Sequence, residues 1–295
     1  MTKNMKLKTN AFVLRLARFK TTLLRPGLVL SLGALIIAAG IFTAASLGHL
    51  SPFLCPAVAD PVALEYATTP TQLLAILHYA TTKEVPQQSN AEVRVTFDVL
   101  RELAPCNFLV YGVGRDSLMW ASLNPRGTTL FLEEDPEWLK AVLLKAPILR
   151  AKAVKYHTHL SQADELISTY RYEPECLPSS APLSRESRCK LALTEMPEEV
   201  YGRDWDLIMI DAPRGYYAAA PGRMAAIYSA AVMARARRSP GVTHVFLHDV
   251  NRRVERMYAD EFLCQKFLVK EVGRLWHFAI PSATNVTDSE SSFCS

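Results

Sequence analysis

The chain has 295 residues, of which 49% are apolar, enough for one substantial buried core. This composition excludes a generally disordered protein. The formal net charge of +4 comes from an N-terminal tail that holds seven Lys and Arg residues before the first acid, Asp60. The remainder has 26 basic against 29 acidic residues, so the charge does not point to a nucleic-acid partner.

The N-terminal part predicts a membrane anchor. After a basic tail at residues 1–27, residues 28–50 contain no charged side chain, enough helix to cross a hydrocarbon core of roughly 30 Å. The positive-inside bias leaves the tail in the cytosol and sends the rest into a secretory lumen, as in a single-pass type II protein. A cleaved signal and a buried helix are the alternatives. We predict a stem at residues 51–69, a lumenal domain at 70–281 and a polar tail at 282–295.

The six cysteines would then lie in an oxidising compartment. Cys176 and Cys189 bracket a loop rich in Pro, Ser and Arg, and we predict a disulfide between them. Two unpaired thiols are the alternative. The spacing matches no zinc site. Asn285 starts an Asn-Val-Thr triplet, which is an N-glycosylation acceptor motif.

The predicted elements alternate between strand and helix over most of the domain. Two helices between residues 70 and 104, with Thr71 and Asn90 as N-caps, are expected to lie outside the main sheet. From Cys106 onwards the alternation predicts a mostly parallel, doubly wound α/β sheet that ends in an antiparallel hairpin. The predicted strands are 108–111, 128–132, 153–156, 205–210, 244–248, 267–272 and 275–280, and the core helices are 117–124, 137–145, 162–170 and 224–237.

The first two strands have the order with which α/β chains bind an adenosyl group. Gly112 and Gly114 follow the first strand and leave room for a ligand to approach the backbone. Glu133 comes about twenty residues later, where it can accept hydrogen bonds from ribose hydroxyls. A dinucleotide fingerprint would need a third glycine, but this chain has Asp116 nearby, which repels pyrophosphate and suits an ammonium group. We therefore predict S-adenosylmethionine, with Asp116 at its methionine end.

Polar residues also follow the fourth and fifth predicted strands, at the edge where ligands of open α/β sheets bind. Asp211, His248 and Asp249 are our candidates for removing the proton of an attacking sugar hydroxyl. Alternatively, Asp211, Asp249 and Asn251 form an all-oxygen set that suits a divalent metal ion. A third interpretation is that these side chains only cap the helices that follow.

Basic and aromatic residues gather near the same edge. Arg214, Arg223 and Arg252 could bind the carboxylate of an acidic sugar through guanidinium forks. Tyr216 and Tyr217 could stack on sugar rings. The competing interpretation is an ordinary solvated loop.

Five segments of the chain resemble the plant Golgi family of glucuronoxylan 4-O-methyltransferases and their relatives, over about residues 69–281. They are CNFLVYGVGRDSLMWASLN, TLFLEED, WDLIMIDAPRGY, APGRMAAIY and FLHDVNR. The resemblance implies a Rossmann-like S-adenosylmethionine-dependent methyltransferase fold and methylation of O-4 of glucuronic acid on glucuronoxylan. It also implies a Golgi membrane location and a xylan-synthesising complex as a partner. The family includes methyltransferases of arabinogalactan glucuronic acid, and the motifs do not separate the two acceptors.

One position departs from the expected methyltransferase pattern. Many methyltransferases of this fold carry an acid two residues before the first glycine, where this chain has Val110. We predict that Asp116 takes over that role. The departure motivates a rival hypothesis, a non-catalytic Golgi scaffold that keeps the fold. A nucleotide-sugar oxidoreductase that binds NAD is the second rival, and the missing third glycine counts against it.

Overall fold

The computed structural model describes residues 68–83, 85–178, 183–283 and 292–294. The predicted basic tail, the membrane anchor, nearly all of the stem and Asn285 lie outside the described residues. Within the described ranges, no helix combines the length and the apolar character that a membrane span requires.

Seven strands in the described part of the chain form one sheet. β1 to β5 run parallel to their neighbours, β7 pairs antiparallel with β5, and β6 pairs antiparallel with β7. The predicted class, a mostly parallel doubly wound sheet with a C-terminal antiparallel hairpin, is confirmed. The strands are β1 Asn107–Tyr111, β2 Thr128–Glu133, β3 Ala151–Ala153, β4 Leu207–Ile210, β5 Val242–Leu247, β6 Leu268–Val272 and β7 Leu275–Pro281, in the order β3-β2-β1-β4-β5-β7-β6.

Helices cover both faces of the sheet because both sides of the central strands are apolar. On β1, Leu109 and Tyr111 belong to one buried cluster, and Phe108 and Val110 to the other. Strands buried on both faces appear in a sequence as continuous apolar runs, as these do. The first cluster includes residues of α5 Ala163–Thr169, α6 Glu198–Tyr201, α7 Met224–Arg235 and α8 Arg253–Tyr258, and the second includes residues of α1 Pro70–Thr81, α2 Asn90–Leu103, α3 Ser117–Ser122 and α4 Pro136–Lys145.

The two N-terminal helices begin at caps that differ from the predicted ones. Thr69 and Ser89 cap α1 and α2, so the prediction of Thr71 and Asn90 was wrong. In each case, the cap side chain accepts a hydrogen bond from the backbone N–H three residues later. The side chain of Gln72 or Glu92, at that later position, accepts a hydrogen bond from the backbone N–H of the cap residue, which completes a capping box. This reciprocal pair, rather than the apolar spacing, sets where each helix starts.

The third strand is earlier and shorter than the predicted strand 153–156. β3 pairs with β2 through three residues, the last being Ala153 opposite Glu133. The N–H of Val154 still donates to the Glu133 carbonyl at 2.9 Å. Because β2 ends there, the residues after Val154 have no continuing ladder on that side.

Disulfide bonds join two pairs of cysteines in the described residues. Cys176 is bonded to Cys189, the predicted pair, with 5.0 Å between their Cα atoms. Cys264 is bonded to Cys294, with 5.4 Å between Cα atoms, a pair that the sequence did not suggest. The second bond ties the last described residues to the segment that follows α8.

Removing either disulfide should destabilise the domain, because each bond limits the conformational entropy of the unfolded chain. The sequence separations of 13 and 30 residues correspond to about 3 and about 4 kcal/mol in the chain-entropy model. Paired Cys→Ala variants, unfolded in guanidinium chloride, should lose about these amounts of unfolding free energy. A variant that lacks both bonds should not be destabilised further by a reductant. Unchanged stability in both paired variants would contradict the expectation.

Candidate functional site

A cleft of about 510 Å³ lies at the carboxyl ends of β1, β2, β4 and β5. Ligands of open α/β sheets bind at this edge. Of the predicted site residues, His248, Asn251 and Tyr217 are not part of the cleft lining. The predicted residues that do line it are Gly112, Gly114, Asp116, Glu133, Asp211, Arg214, Tyr216, Arg223, Asp249 and Arg252.

The glycine turn after β1 has two distinct roles. Gly112 has a φ of 117°, and a Cβ there would lie 3.0 Å from the Cβ of Ala212. Only glycine adopts this conformation readily, so Gly112 lets the chain turn closely against the end of β4. At Gly114, a Cβ would meet one group within 4 Å, the Asp116 Oδ1 at 3.1 Å. Gly114 therefore keeps the backbone open to a ligand, as the cofactor prediction requires.

Glu133 is a buried carboxylate that the backbone holds at the end of β2. Its Oε2 accepts from the N–H of Val113 at 2.9 Å, and its Oε1 accepts from the N–H of Asp135 at 3.0 Å. Burial and the neighbouring Glu134 raise the pKa of Glu133 to about 7. Each carboxylate oxygen has two lone pairs, so each can still accept a hydrogen bond from a ligand hydroxyl. This geometry fits the ribose of an adenosyl group.

Asp116 supplies negative charge beside the glycine turn. Its Oδ2 accepts from the indole N–H of Trp120 at 2.8 Å. Burial, followed by the charge of Asp211, raises the pKa of Asp116. A cationic ligand group beside Asp116 would offset this repulsion, whereas a pyrophosphate would add to it. Because Val110 also lines the cleft and is uncharged, Asp116 fits the role predicted for it.

Asp211 is the most exposed of the three predicted bases. Its Oδ1 accepts from the Nδ1 of His248 at 2.8 Å, and its Oδ2 accepts from the Nε2 of Gln88 at 3.3 Å. Although burial opposes ionisation, the hydrogen bond from His248 and the charge of Arg223 lower the pKa of Asp211. The side chain of Asp211 is 24% exposed but that of His248 is 1% exposed. His248 therefore supports Asp211 from behind, rather than reaching an acceptor as we predicted.

The contacts of Asp249 do not fit a catalytic base. Its Oδ2 lies 2.9 Å from a nitrogen of Arg223 and of Arg252, and its Oδ1 accepts from Arg274 at 2.7 Å. Three guanidinium groups thus take up three of the four lone pairs of this carboxylate, and the side chain is only 6% exposed. The prediction that Asp249 is a base is corrected: it holds arginines together.

The guanidinium group of Arg223 is also engaged by other residues of the protein. Its side chain is 4% exposed. Its guanidinium donates to the carbonyls of Pro213, Asp211 and His248 and to the carboxylates of Asp211 and Asp249. These bonds tie the end of β4 to the end of β5. The prediction that Arg223 binds a substrate carboxylate is therefore corrected to a positioning role.

The other two predicted arginines are partly exposed. Arg214 pairs with Glu134 and Asp135, on the side of the cleft where Glu133 lies. Arg252, whose side chain is 30% exposed, pairs with Asp249 and with Glu255. Of these two, Arg252 is the one that contacts Asp249, just after β5.

The predicted metal site is only partly assembled. Asp211, His248 and Asp249 have ligand atoms within 4.8 Å of one another, whereas Asn251 is exposed. The Nη2 of Arg223 lies 3.3 Å from the Asp211 Oδ1 and 2.9 Å from the Asp249 Oδ2. A guanidinium cation thus already neutralises both carboxylates. A divalent ion at this place would compete with Arg223 for both carboxylates.

The strand-end pattern did not point to four residues around the site. They lie on α2, on the loop before it, on α4 and on the β6–β7 turn. Of the four, Trp138 could have been found from the sequence, because an aromatic residue in the first turn of the helix after Glu133 can line a nucleoside site. Its indole N–H donates to the Val113 carbonyl at 2.7 Å. The four residues are Gln88, Glu92, Trp138 and Arg274.

Residues 91–278 match the family model described as IRX15/IRX15L/GXM. Arabinogalactan O-methyltransferase 2 of Arabidopsis thaliana is 62% identical over 76% of this chain and 77% of its own length. Arabinogalactan O-methyltransferase 1 of the same plant is 60% identical over 80% of this chain and 83% of its own length. Glucuronoxylan 4-O-methyltransferase 1, also from Arabidopsis thaliana, is 49% identical over 75% of this chain and 78% of its own length. These matches confirm the family resemblance predicted from the motifs.

Proposed function

Because the chain belongs to the IRX15/IRX15L/GXM family, we propose that it is an S-adenosylmethionine-dependent O-methyltransferase that acts on glucuronic acid in a polysaccharide. One observation carries the proposal. A single cleft is lined by the glycine turn and Glu133 at one end and by Asp211 and Arg252 at the other. An adenosyl site and an acidic-sugar site would therefore meet in the same space.

The residues of the first end suit S-adenosylmethionine. Glu133 would accept hydrogen bonds from the ribose hydroxyls, and the open backbone at Gly114 would lie against the methionine moiety. Asp116 would pair with the ammonium group. When bound, S-adenosylmethionine would supply an electrophilic methyl group on its sulfonium sulfur.

Asp211 would remove the proton of the acceptor hydroxyl. As the hydroxyl oxygen bonds to the methyl carbon, the carbon–sulfur bond breaks and the hydroxyl becomes strongly acidic. A carboxylate with a lowered pKa, such as Asp211, can therefore take this proton. The products are a methyl ether and S-adenosylhomocysteine. His248 and Gln88 hold the two carboxylate oxygens in place, in accord with a reaction that depends mainly on positioning.

Arabinogalactan is the acceptor polymer that we propose first. The relatives named for arabinogalactan are more similar to this chain than the relative named for glucuronoxylan. Glucuronoxylan, the acceptor that the family resemblance implies, becomes the second candidate. In both cases, the family resemblance suggests O-4 of glucuronic acid as the methylated position.

The location in the Golgi membrane also remains a proposal. It rests on the basic tail and on the uncharged segment at residues 28–50. Protease protection of a C-terminally tagged chain in microsomes would test the topology. Protection of the tag agrees with a lumenal domain, and cleavage without detergent contradicts it.

The affinity for S-adenosylmethionine should fall as the pH drops below about 7. The pKa of Glu133 is raised to about 7, and protonation removes the negative acceptor that the ribose hydroxyls use. The dissociation constant should rise by up to about tenfold for each pH unit below that pKa. Calorimetric titrations from pH 5.5 to 7.5 would measure the slope. Glu133→Gln lacks the ionisable group and should show a flatter dependence; equal slopes would contradict the assignment.

The acceptor can be tested with the purified full chain. It would receive S-adenosylmethionine together with glucuronic-acid-bearing oligosaccharides from either arabinogalactan or glucuronoxylan. We expect a higher kcat/KM with arabinogalactan, measured from the release of S-adenosylhomocysteine. A higher value with glucuronoxylan would support the second candidate. Methylation of neither acceptor by a chain that binds the cofactor would support the scaffold hypothesis.

A further inference from the structure

Resting on the function proposed above, we propose that Arg252 and Arg274 together bind the carboxylate of the acceptor uronate, and that Asp249 is the buried counter-ion that positions them. Arg274 was not among the residues that the sequence suggested. The two arginines would form the binding site for the acidic group of the sugar, and Asp249 would have a structural rather than a catalytic role.

Asp249 is placed to organise arginines rather than to react. It is 5% exposed, and its φ of 62° is a left-handed conformation that Asp tolerates better than most residues. Arg252 contacts its Oδ2 at 2.9 Å, and Arg274 donates to its Oδ1 at 2.7 Å. Because the two oxygens belong to one carboxylate, the two guanidinium groups are brought side by side.

Arg274 is held in place independently of its side chain. It follows Gly273 in the β6–β7 turn, where a Cβ on Gly273 would lie 2.7 Å from the Oε1 of Glu92. The same oxygen accepts from the Arg274 backbone N–H at 2.7 Å, and Glu92 is 3% exposed. A buried carboxylate therefore fixes the turn, so little backbone freedom remains to be lost when Arg274 binds a ligand.

Both arginines keep donors for a ligand. Arg252 lines the cleft, and its side chain is 30% exposed. Arg274 lies beside the lining residue Gln87, and its side chain is 43% exposed. A guanidinium has five N–H donors. Among the described residues, Arg252 directs one nitrogen to Asp249 and one to Glu255, and Arg274 directs one to Asp249 and one to the Gln87 carbonyl. The remaining donors can form the fork that recognises a carboxylate.

The other nearby arginines are less suited to this task. Arg223 is buried and engaged at all three nitrogens of its guanidinium. Arg214 is paired with two acids, Glu134 and Asp135, which would repel a second carboxylate. Arg252 is also paired with two acids, but one of them, Asp249, is shared with Arg223 and Arg274, so three guanidinium groups surround that single carboxylate. The pair at Asp249 is therefore the better carboxylate receptor.

The test compares two acceptors that differ in one group. A short oligosaccharide that ends in glucuronate and its carboxyl-reduced glucose counterpart would be titrated calorimetrically into the full chain, saturated with S-adenosylhomocysteine. We expect the wild-type chain to prefer the uronate by about 30-fold, as two charge-assisted hydrogen bonds allow. Arg274→Gln and Asp249→Asn should each reduce the preference to about threefold or less. A general structural defect would instead weaken both acceptors equally.

Arg253→Gln is the matched control, because Arg253 is adjacent to Arg252 but pairs with Asp164 at an exposed site. It should keep the full preference. Arg274→Lys retains the positive charge but lacks the forked guanidinium, so it should keep part of the preference for the uronate. This variant provides a second test if Asp249→Asn folds poorly. Full preference in Arg274→Gln, or none in the wild-type chain, would overturn the inference. If the proposed function itself were wrong, the wild-type chain would not bind S-adenosylhomocysteine, which is a different result.

Discussion

Glu133→Gln is expected to weaken the binding of S-adenosylmethionine by about 2–4 kcal/mol, roughly 30- to 1000-fold. The wild-type carboxylate is 4% exposed and accepts one backbone N–H on each oxygen. Its remaining lone pairs are the acceptors that we assign to the two ribose hydroxyls. A Gln side chain has a single acceptor oxygen, so it cannot satisfy both backbone N–H groups and the ribose together.

Calorimetry with S-adenosylmethionine and with S-adenosylhomocysteine would measure this effect. Glu137→Gln is the matched control, because Glu137 is exposed in the first turn of α4 and has the same charge. The control should bind both ligands as the wild-type chain does. An unchanged dissociation constant in Glu133→Gln would remove Glu133 from the cofactor site.

Asp211→Asn should lower kcat by about 10²- to 10⁴-fold, the usual range for a positioned general base. Asn has nearly the same shape, and its carbonyl oxygen can still accept from His248. Its amide nitrogen cannot accept from Gln88, but it can donate to the Oε1 of Gln88 once that amide turns over, because this oxygen has no hydrogen-bond partner among the described residues. The decrease in kcat would therefore reflect slower proton removal, and binding of the cofactor should be largely retained.

Single-turnover measurements with saturating cofactor and acceptor would isolate this step. Asp206→Asn offers a control at the opposite end of β4, because the exposed fractions of the two side chains are close, 25% for Asp206 and 24% for Asp211. Asp206 pairs with Arg237 away from the cleft, so this variant should lose stability but not kcat. Equal losses of kcat in both variants would contradict a catalytic role for Asp211.

Much of the site could be predicted because parallel strands end at one edge of a sheet. Gly112, Glu133 and Asp211 follow three different strands, yet strand pairing brings them to one cleft. The predicted helices and strands followed from apolar runs and spacing, which tertiary packing did not override. Their ends were less predictable: β3 stops where its partner β2 ends.

The roles of charged residues could not be predicted in the same way. Sequence position indicated that Arg223 and Asp249 lie near the site, but not that they pair with each other at 2.9 Å. Such pairing decides whether a charge is available to a ligand. Glu92 and Arg274 lie outside the alternating strand pattern, and their contact joins residues 182 positions apart in the chain. Only the folded chain shows that contact.

The most direct test of the central claim is the transfer of a ¹³C-labelled methyl group by the purified full chain. The chain would be incubated with labelled S-adenosylmethionine and a glucuronic-acid-bearing arabinogalactan oligosaccharide, and the product would be examined by NMR. We predict an O-methyl signal that correlates with C4 of glucuronate, and only a trace of it with Asp211→Asn. A chain that binds the cofactor but leaves every glucuronic-acid acceptor unlabelled would contradict the account.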